Sequence, residues 1–303
     1  MAIPASGPIS ADTIATEFGG AVPHGLDEYY RGGPLVPNSP QNSAIPTSGA
    51  IAYSNFYGSS NRMLISLTAT GSNYNVYDNR GASYQAGKSD ITVTVPGTIN
   101  GTTTGVYAFY VPNQFNAADT VTVVNNGLIQ GCGGVGGAGG PSPTSPAAAV
   151  AGSPGAVGGA ALYVNRPITL FNNGTIASGG GGGGGGGGSR VSSGPSKSPT
   201  ITRRGGGGGG GGSGTPGGTG GAGGVAGTNG AAGGTSTSPA GGAGGPATAP
   251  AGAGGAGGGR GASGTNGTPS TAAGGAGAAA GACITGDPFI TYGAVGTRNG
   301  PIA

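Results

Sequence analysis

Alternation of apolar and polar residues is clearest in the first half of the chain. Leu64–Ala69 is rich in β-forming residues, and Ile91–Val95 alternates apolar side chains with threonine. Val106–Val111 is aromatic, and clusters of glycine and asparagine separate the three runs. These patterns predict an antiparallel β domain over residues 63–130, built as a small sandwich or curled sheet.

An internal repeat occupies the first 62 residues. The segment Ile3-Pro4-Ala5-Ser6-Gly7-Pro8-Ile9 returns as Ile45-Pro46-Thr47-Ser48-Gly49-Ala50-Ile51, and an apolar residue, Ile14 or Phe56, follows each copy. Ser-Gly before isoleucine predicts a turn into a short helix or strand, with Ser10 or Ser54 available as a cap. So short a segment buries little surface by itself, so we expect residues 1–62 to form a docking module that attaches to a partner or to its own copies. The residues expected to serve docking are Ile3, Ile9, Tyr29, Tyr30, Ile45, Ile51 and Phe56.

A second repeat leads into the glycine-rich part of the chain. Val123–Gly131 matches Leu170–Ser178, and both copies contain Asn-Asn-Gly followed by an isoleucine. Asn-Gly tolerates the positive φ that tight turns need. Each copy therefore predicts a strand, a tight turn, a second strand and then a glycine-rich segment.

Glycine dominates the chain after residue 130. The longest runs are Gly179–Gly188 and Gly205–Gly212, and elsewhere glycine returns at every third position, as from Gly218 to Gly233 and from Gly252 to Gly267. Period three matches the left-handed extended helix, which has no internal hydrogen bonds. Because ordering each residue costs roughly 1–2 kcal/mol, such helices must pack side by side and exchange backbone hydrogen bonds. We therefore predict a bundle of polyglycine II helices, with pure glycine runs at the centre and Ala, Thr and Val facing outwards.

Collagen is the competing interpretation of a glycine period of three. It needs an unbroken Gly-X-Y register and about 15–20% proline or hydroxyproline. Here the register breaks repeatedly, and the 23 prolines cluster between glycine runs, where they are expected to form turns.

The fold class that we predict is mostly β and irregular, with almost no α-helix. Its parts are the docking module 1–62, the antiparallel β domain 63–130, the polyglycine II bundle 131–283 and a C-terminal β segment 284–303.

Charge is segregated along the chain. No acidic residue lies between Thr120 and Gly286. The basic residues of that stretch are Arg166, Arg190, Lys197, Arg203, Arg204 and Arg260. A mildly basic body suits an anionic surface such as a phosphorylated glycan, although so few charges over this length could also provide solubility alone.

Composition argues against catalysis and cofactors. His24 is the only histidine, Asp78 and Asp90 are the nearest approach to paired carboxylates, and no Gly-Lys-Ser/Thr follows Arg203-Arg204 as a phosphate loop would require. We expect no enzyme activity, no metal, no cofactor and no nucleic-acid partner. No signal peptide is visible and no apolar run approaches the roughly 18 residues of a membrane span, so we expect no membrane insertion.

The Ser-Gly-x-Ile repeat, the Asn-Asn-Gly motifs and the glycine runs together resemble glycine-rich bacteriophage tail-fibre proteins. The tail Ile284–Tyr292, followed by Gly296-Thr297-Arg298, is similar to the closing segment of such proteins. The glycine body resembles the receptor-recognising adhesin at the tip of T-even-like long tail fibres. That resemblance implies a sandwich of polyglycine II helices whose variable loops bind a bacterial surface receptor. The attachment domain of that family differs from residues 1–62.

By this resemblance, the segments between glycine runs are receptor-binding loops. Ser189–Arg204 is the strongest candidate, because it combines basic residues with serines and threonines that can bond sugars or phosphate. The residues expected to contact receptor are Ser189, Arg190, Ser196, Lys197, Thr200, Thr202, Arg203 and Arg204, with Thr144, Ser145, Thr235, Ser236, Thr248, Thr265 and Asn266 from the other loops.

The resemblance implies a virion tail protein that is assembled in the host cytoplasm. Its expected partners are other tail proteins and a bacterial surface glycan or outer-membrane protein, and a homotrimer is left open. In that reducing compartment Cys132 and Cys283 are expected as free thiols rather than a disulfide. Two alternatives remain. One is a structural tail, baseplate or head-decoration protein without a receptor role. The other is an ice-binding protein, against which the docking module argues.

Overall fold

The computed structural model describes residues 3–143, 148–196, 198–236 and 239–303, and its fold is mostly β and irregular. Among these residues there is one α-helix, α1, spanning Ala11–Phe18. Short 3₁₀ helices span Leu26–Tyr29, Pro40–Asn42, Tyr53–Phe56 and Asp287–Phe289. The strands are β1 Met63–Thr68, β2 Tyr74–Asn75, β3 Ser89–Val95, β4 Thr98–Asn100, β5 Phe109–Val111, β6 Thr120–Asn125, β7 Leu128–Gln130, β8 Leu162–Val164, β9 Ile168–Asn172, β10 Thr175–Ala177, β11 Ser189–Ser193, β12 Thr200–Arg204, β13 Ile284–Thr285, β14 Ile290–Ala294 and β15 Thr297–Asn299.

The chain divides into two compact units. Unit 1 comprises the described residues of 1–67, 77–93 and 113–122, and unit 2 comprises those of 68–76, 94–112 and 123–303. The domain boundaries expected from the sequence stay predictions.

Unit 1 has a core of its own, formed by the repeated motif at its start. Ile14 and Phe56, the equivalent apolar residues of the two copies, are both fully buried. Ser10 caps α1, as predicted, by accepting a hydrogen bond of 3.1 Å from the Thr13 backbone N–H. In the second copy Ser54 lies inside the 3₁₀ helix and Ala52 takes the cap position, so the choice of Ser54 as a cap was wrong.

Strands of the predicted antiparallel domain are mostly parallel, which corrects that prediction. One four-stranded sheet has the order β2-β5-β8-β13 and another the order β4-β7-β10-β15, and all pairs in both are parallel. A five-stranded sheet has the order β1-β3-β6-β9-β14. Three consecutive strands thus form a repeat that returns along the chain. Alternation of apolar residues shows which face is buried, but it does not show strand direction, and this explains the error.

Equivalent residues of the repeat stack in register. Ile99, Ile129 and Ile176 are fully buried neighbours on β4, β7 and β10. The Asn-Asn-Gly turns also stack, since a Cβ on Gly174 would overlap the backbone oxygen of Gly127. Glycine is therefore required at this turn by the close approach of the neighbouring turn.

Between these repeats the chain forms extended glycine-rich segments that bond to one another. Successive residues of segment 179–188 donate their backbone N–H groups to three different neighbouring segments, and every third residue returns to the same neighbour. The acceptors for Gly182, Gly183 and Gly184, for example, are the carbonyls of Ala156, Gly210 and Thr265, respectively. Segment 179–188 accepts bonds from three further segments, 134–140, 252–258 and 272–281. Six segments therefore surround this run.

The second pure glycine run is enclosed in the same way. Segment 205–213 exchanges backbone hydrogen bonds with 134–140, 179–188, 218–224, 228–234, 242–245 and 252–258. Both runs are buried along their whole length, whereas Val135, Val157 and Val225 of the mixed segments are 47%, 53% and 66% exposed. The pure runs are central and the larger side chains point outwards, as the sequence predicts.

The two period-three glycine series do not run straight. The first turns at residues 225–229, and the second turns at residues 259–261, where Gly261 has a φ of +66°. Each series therefore contributes two neighbouring segments rather than one long helix.

Candidate functional site

Several turns gather at one end of the glycine-rich segments. Segment 179–188 follows β10 directly and leads at its other end into β11, so its two ends are unlike. At the β11 end the chain turns at 189–204, 225–229, 247–251 and 269–271, and we call these the distal turns. At the β10 end it turns at 214–217 and 259–261, and we call these the proximal turns.

The largest distal turn is a β-hairpin rather than an irregular loop. Strands β11 and β12 pair antiparallel, with Ser189 opposite Arg204 and Arg190 opposite Arg203. The hairpin joins the two central glycine runs, because β11 follows Gly188 and β12 precedes Gly205. Its base is half-buried, whereas residues 191–196 and 198–200 are exposed.

Neighbouring distal turns hold the hairpin base. The Arg190 backbone N–H donates to Thr271 Oγ1 over 3.0 Å, and the Thr271 hydroxyl donates to the Gly188 carbonyl over 3.3 Å. On the other strand, Arg204 Nη1 donates to Thr228 Oγ1 over 3.4 Å. The base is therefore fixed on both sides, while the described residues 191–196 and 198–200 are exposed.

The structure brings only some of the predicted receptor residues to this end. Ser189, Arg190, Ser196, Thr200, Thr202, Arg203 and Arg204 lie in the hairpin, and Thr248 lies in turn 247–251. Thr144, Ser145 and Lys197 fall outside the described residues.

The remaining predicted receptor residues lie elsewhere in unit 2. Thr235 and Ser236 are towards the β10 end, where the Ser236 backbone N–H bonds to Gly218. Thr265 and Asn266 lie within a glycine-rich segment. Thr265 Oγ1 accepts from the Ala256 backbone N–H over 2.7 Å, and Asn266 Oδ1 accepts from that of Gly277 over 2.9 Å. Both side chains thus hold neighbouring segments together.

Sequence reasoning missed the distal turn at 225–229. The tripeptide Thr228-Asn229-Gly230 is a turn signal, and Asn229 Oδ1 accepts from the Ala226 backbone N–H over 2.9 Å. The same tripeptide at Thr265–Gly267 lies within a segment. The local signal could therefore not distinguish the turn from a straight stretch.

Residues expected to dock the chain on the virion build the core of unit 1. Ile3, Tyr29, Ile45 and Phe56 are buried in it, and Ile9 and Ile51 pack against it. The Tyr30 hydroxyl donates to the Gly49 carbonyl over 2.6 Å. A docking surface on unit 1 must therefore be formed largely by other, exposed residues.

Asp90, one of the two carboxylates considered in the sequence, forms an ion pair with Arg62. Arg62 donates to Asp90 from Nε over 2.8 Å and approaches it with Nη2 at 2.7 Å, and Thr120 donates a hydroxyl bond to the same carboxylate over 2.5 Å. Burial raises the pKa of Asp90, but these hydrogen bonds outweigh burial and the net pKa is lowered. Among the described residues, His, Cys, Asp and Glu nowhere gather in threes that could hold a metal ion.

Cys132 and Cys283 are free and buried, and burial raises the pKa of both thiols. They are therefore poor nucleophiles at neutral pH. Within the described residues, no helix has the length and apolar character of a membrane span.

The C-terminal motif has a structural role in the last repeat. The Tyr292 hydroxyl donates to Asp287, and Arg298 lies 5.2 Å from the Tyr292 ring centroid. Burial, together with Asp287, raises the pKa of Tyr292 to about 12. The motif thus belongs to the last repeat, whose strands β13, β14 and β15 each form the end strand of one sheet.

Comparison with known proteins identifies the family. A search of curated proteins gave no match. Among solved structures, the chain is similar to a chain of the gp37-gp38 adhesin tip complex of the bacteriophage S16 long tail fiber. The identity is 24%, the match covers 99% of this chain and 100% of that chain, and the TM-score is 0.47. The family model for the phage tail fibre adhesin Gp38 matches residues 62–303, which include every strand and all the distal turns. The chain therefore belongs to the phage tail fibre adhesin Gp38 family.

Proposed function

We propose that this protein binds a receptor on the bacterial surface through its distal turns, and that its glycine-rich segments are polyglycine II helices that fix where these turns project. The observation that carries the proposal is the gathering of the hairpin and three further turns at one end of a closely bonded bundle. The family supplies the context, which is a phage tail fibre adhesin in the virion tail.

The assignment of polyglycine II helices is supported by the hydrogen-bond period. In segment 179–188 every third residue bonds to the same neighbour, as expected for three residues per turn. Six neighbours around one run can approach only where side chains are missing. A Cβ on Gly183 would overlap the backbone oxygen of Gly255, and one on Gly184 would overlap that of Gly275. Such a scaffold is rigid because both central glycine runs are bonded on all sides.

Rigidity of the scaffold favours variable binding turns. Loops held by a rigid frame tolerate sequence change at little cost to stability, and binding residues concentrate on them. The hairpin offers exposed serines and threonines together with basic residues, in a stretch of sequence without acids. These groups can bond a surface glycan or the loops of an outer-membrane protein.

Residues 1–61 precede the matched family region and are proposed to attach the protein to other tail proteins. The proposal assigns the protein no enzymatic activity. A homotrimer is compatible with it but is not required.

Direct binding of the purified chain to host cells tests the proposal. In one variant, turns 225–229, 247–251 and 269–271 and hairpin residues 191–199 are replaced by Gly-Ser sequences of equal length. In the matched control, proximal turns 214–217 and 259–261 are replaced in the same way. We expect labelled wild-type protein and the control to bind host cells saturably, and the distal variant to lose at least about tenfold in affinity. Equal binding by a folded distal variant would contradict the proposal and favour a purely structural tail role.

A further inference from the structure

Two arginines face each other across the hairpin. Arg190 and Arg203 are directly opposite in the antiparallel register, so their side chains leave the same face of the ribbon. Residues in this relation have Cα atoms about 4.5–5.5 Å apart. Like charges directly opposite each other destabilise a strand pair. The hairpin therefore maintains an unfavourable pair at its base.

Among the described residues, no carboxylate forms an ion pair with Arg190 or Arg203. No aspartate or glutamate occurs between Thr120 and Gly286, and no salt bridge to Arg190, Arg203 or Arg204 occurs among the described residues. The Nε atoms of Arg190 and Arg203 are buried and have no hydrogen-bond partner within the described part of the chain. A buried donor without a partner is costly, so an anion at this position would satisfy both charge and donors.

We propose that Arg190 and Arg203 clamp a phosphate group carried by a bacterial surface glycan. The inference rests on the proposed receptor-binding function and specifies the chemistry recognised at the hairpin base. A single guanidinium satisfies a carboxylate in a bidentate pair, whereas a phosphate monoester carries nearly two charges and has oxygens for two guanidinium groups. Two facing arginines therefore favour phosphate over an acidic side chain. Thr271 and Thr228 hold the two strands of the hairpin in the required place.

Arginine Nε signals in the full chain, observed by NMR, provide the test. The probes are glucose 1-phosphate, inorganic phosphate, glucose and an acidic peptide. We expect the signals of Arg190 and Arg203 to shift saturably with glucose 1-phosphate, less with inorganic phosphate and not with glucose.

Two variants separate the site from general charge. Arg190→Glu creates an internal ion pair with Arg203, so it should weaken glucose 1-phosphate binding about tenfold or more while the hairpin stays folded. Arg260→Glu makes the same charge reversal in proximal turn 259–261, away from the hairpin, and it should change the affinity less than about threefold.

Four results would overturn the inference: no shift with any phosphate, equal loss in both variants, inorganic phosphate binding as tightly as glucose 1-phosphate, or tighter binding of the acidic peptide. In each case the cell-binding experiment on the distal turns decides separately whether the receptor-binding function stands.

Discussion

Asn125 donates a hydrogen bond from Nδ2 to Oδ1 of Asn172 over 2.7 Å, although 47 residues separate them. Asn172 in turn donates to the carbonyls of Val295 and Thr297 over 2.7 and 3.3 Å. Three successive repeats are thus joined by a buried amide ladder. The Asn-Asn-Gly motifs serve this stacking, since their first asparagines bond to each other inside the protein.

Breaking the ladder should cost stability. Asn172→Ala removes the acceptor for Asn125 and leaves buried polar groups unpaired, so we expect unfolding free energy to fall by about 2–3 kcal/mol. Asn173 is exposed and its side chain donates to Asn126 Oδ1 over 2.9 Å, so Asn173→Ala should cost under about 1 kcal/mol. Urea unfolding of both variants measures the difference, and equal losses would contradict a buried ladder.

The central glycine runs should tolerate no side chain. A methyl group on Gly183 would overlap the backbone oxygen of Gly255, so Gly183→Ala should lower stability by about 3 kcal/mol or more. This corresponds to a fall in Tm of at least roughly 6–12 °C for a unit of this size. The control is Gly259→Ala, whose Cβ would lie 3.5 Å from the Pro239 oxygen in ordinary contact. Matching Tm values for the two variants in calorimetry would refute the central position of Gly183.

The Arg62–Asp90 pair predicts a dependence of stability on pH. The pKa of Asp90 in the folded protein is below 3.8, the usual value for an aspartate, so its stabilising contribution is present above that pH and is lost as the pH falls through the folded pKa. Wild type should therefore be more stable than Asp90→Asn above about pH 5, and the gap should close below pH 4. Thermal unfolding from pH 2.5 to 7 measures this gap, and a gap that persists unchanged at pH 2.5 would contradict it.

Removal of residues 1–61 tests where the protein attaches. The truncation keeps Arg62, because this residue pairs with Asp90. We expect the remaining chain to fold but to be missing from virions, which an immunoblot of purified particles measures. Circular dichroism of the truncated protein is the control for folding. Normal incorporation of the truncated protein would move the attachment role to residues 62–303.

Sequence patterns located most elements but not how they pair. The strands at Ile91–Val95 and around both Asn-Asn-Gly motifs were predictable from alternation and turn residues. Their parallel pairing was not, because partners such as Ile129 and Ile176 are separated by a glycine-rich insertion. Burial of the two pure glycine runs was predictable from their lack of side chains. The segments to which each run is hydrogen-bonded were not predictable, because they depend on where the chain turns.

The candidate site was predictable only in part. The basic stretch at 189–204 stood out by composition, but the register that sets Arg190 against Arg203 required the hairpin. Thr235 and Thr265 look alike as polar residues between glycines. In the structure Thr235 lies towards the β10 end, whereas Thr265 is hydrogen-bonded to a neighbouring segment. Only the hydrogen bonds of the folded chain distinguish these two positions.

We expect the distal turns to determine which bacteria the phage recognises. A direct test selects phage that regain adsorption on host mutants resistant to it, and sequences the gene for this protein in independent isolates. Substitutions are expected to concentrate at residues 191–200, 225–229, 247–251 and 269–271, with the glycine runs 179–188 and 205–212 unchanged. Substitutions that concentrate in residues 1–61 or in proximal turns 214–217 and 259–261 would contradict it.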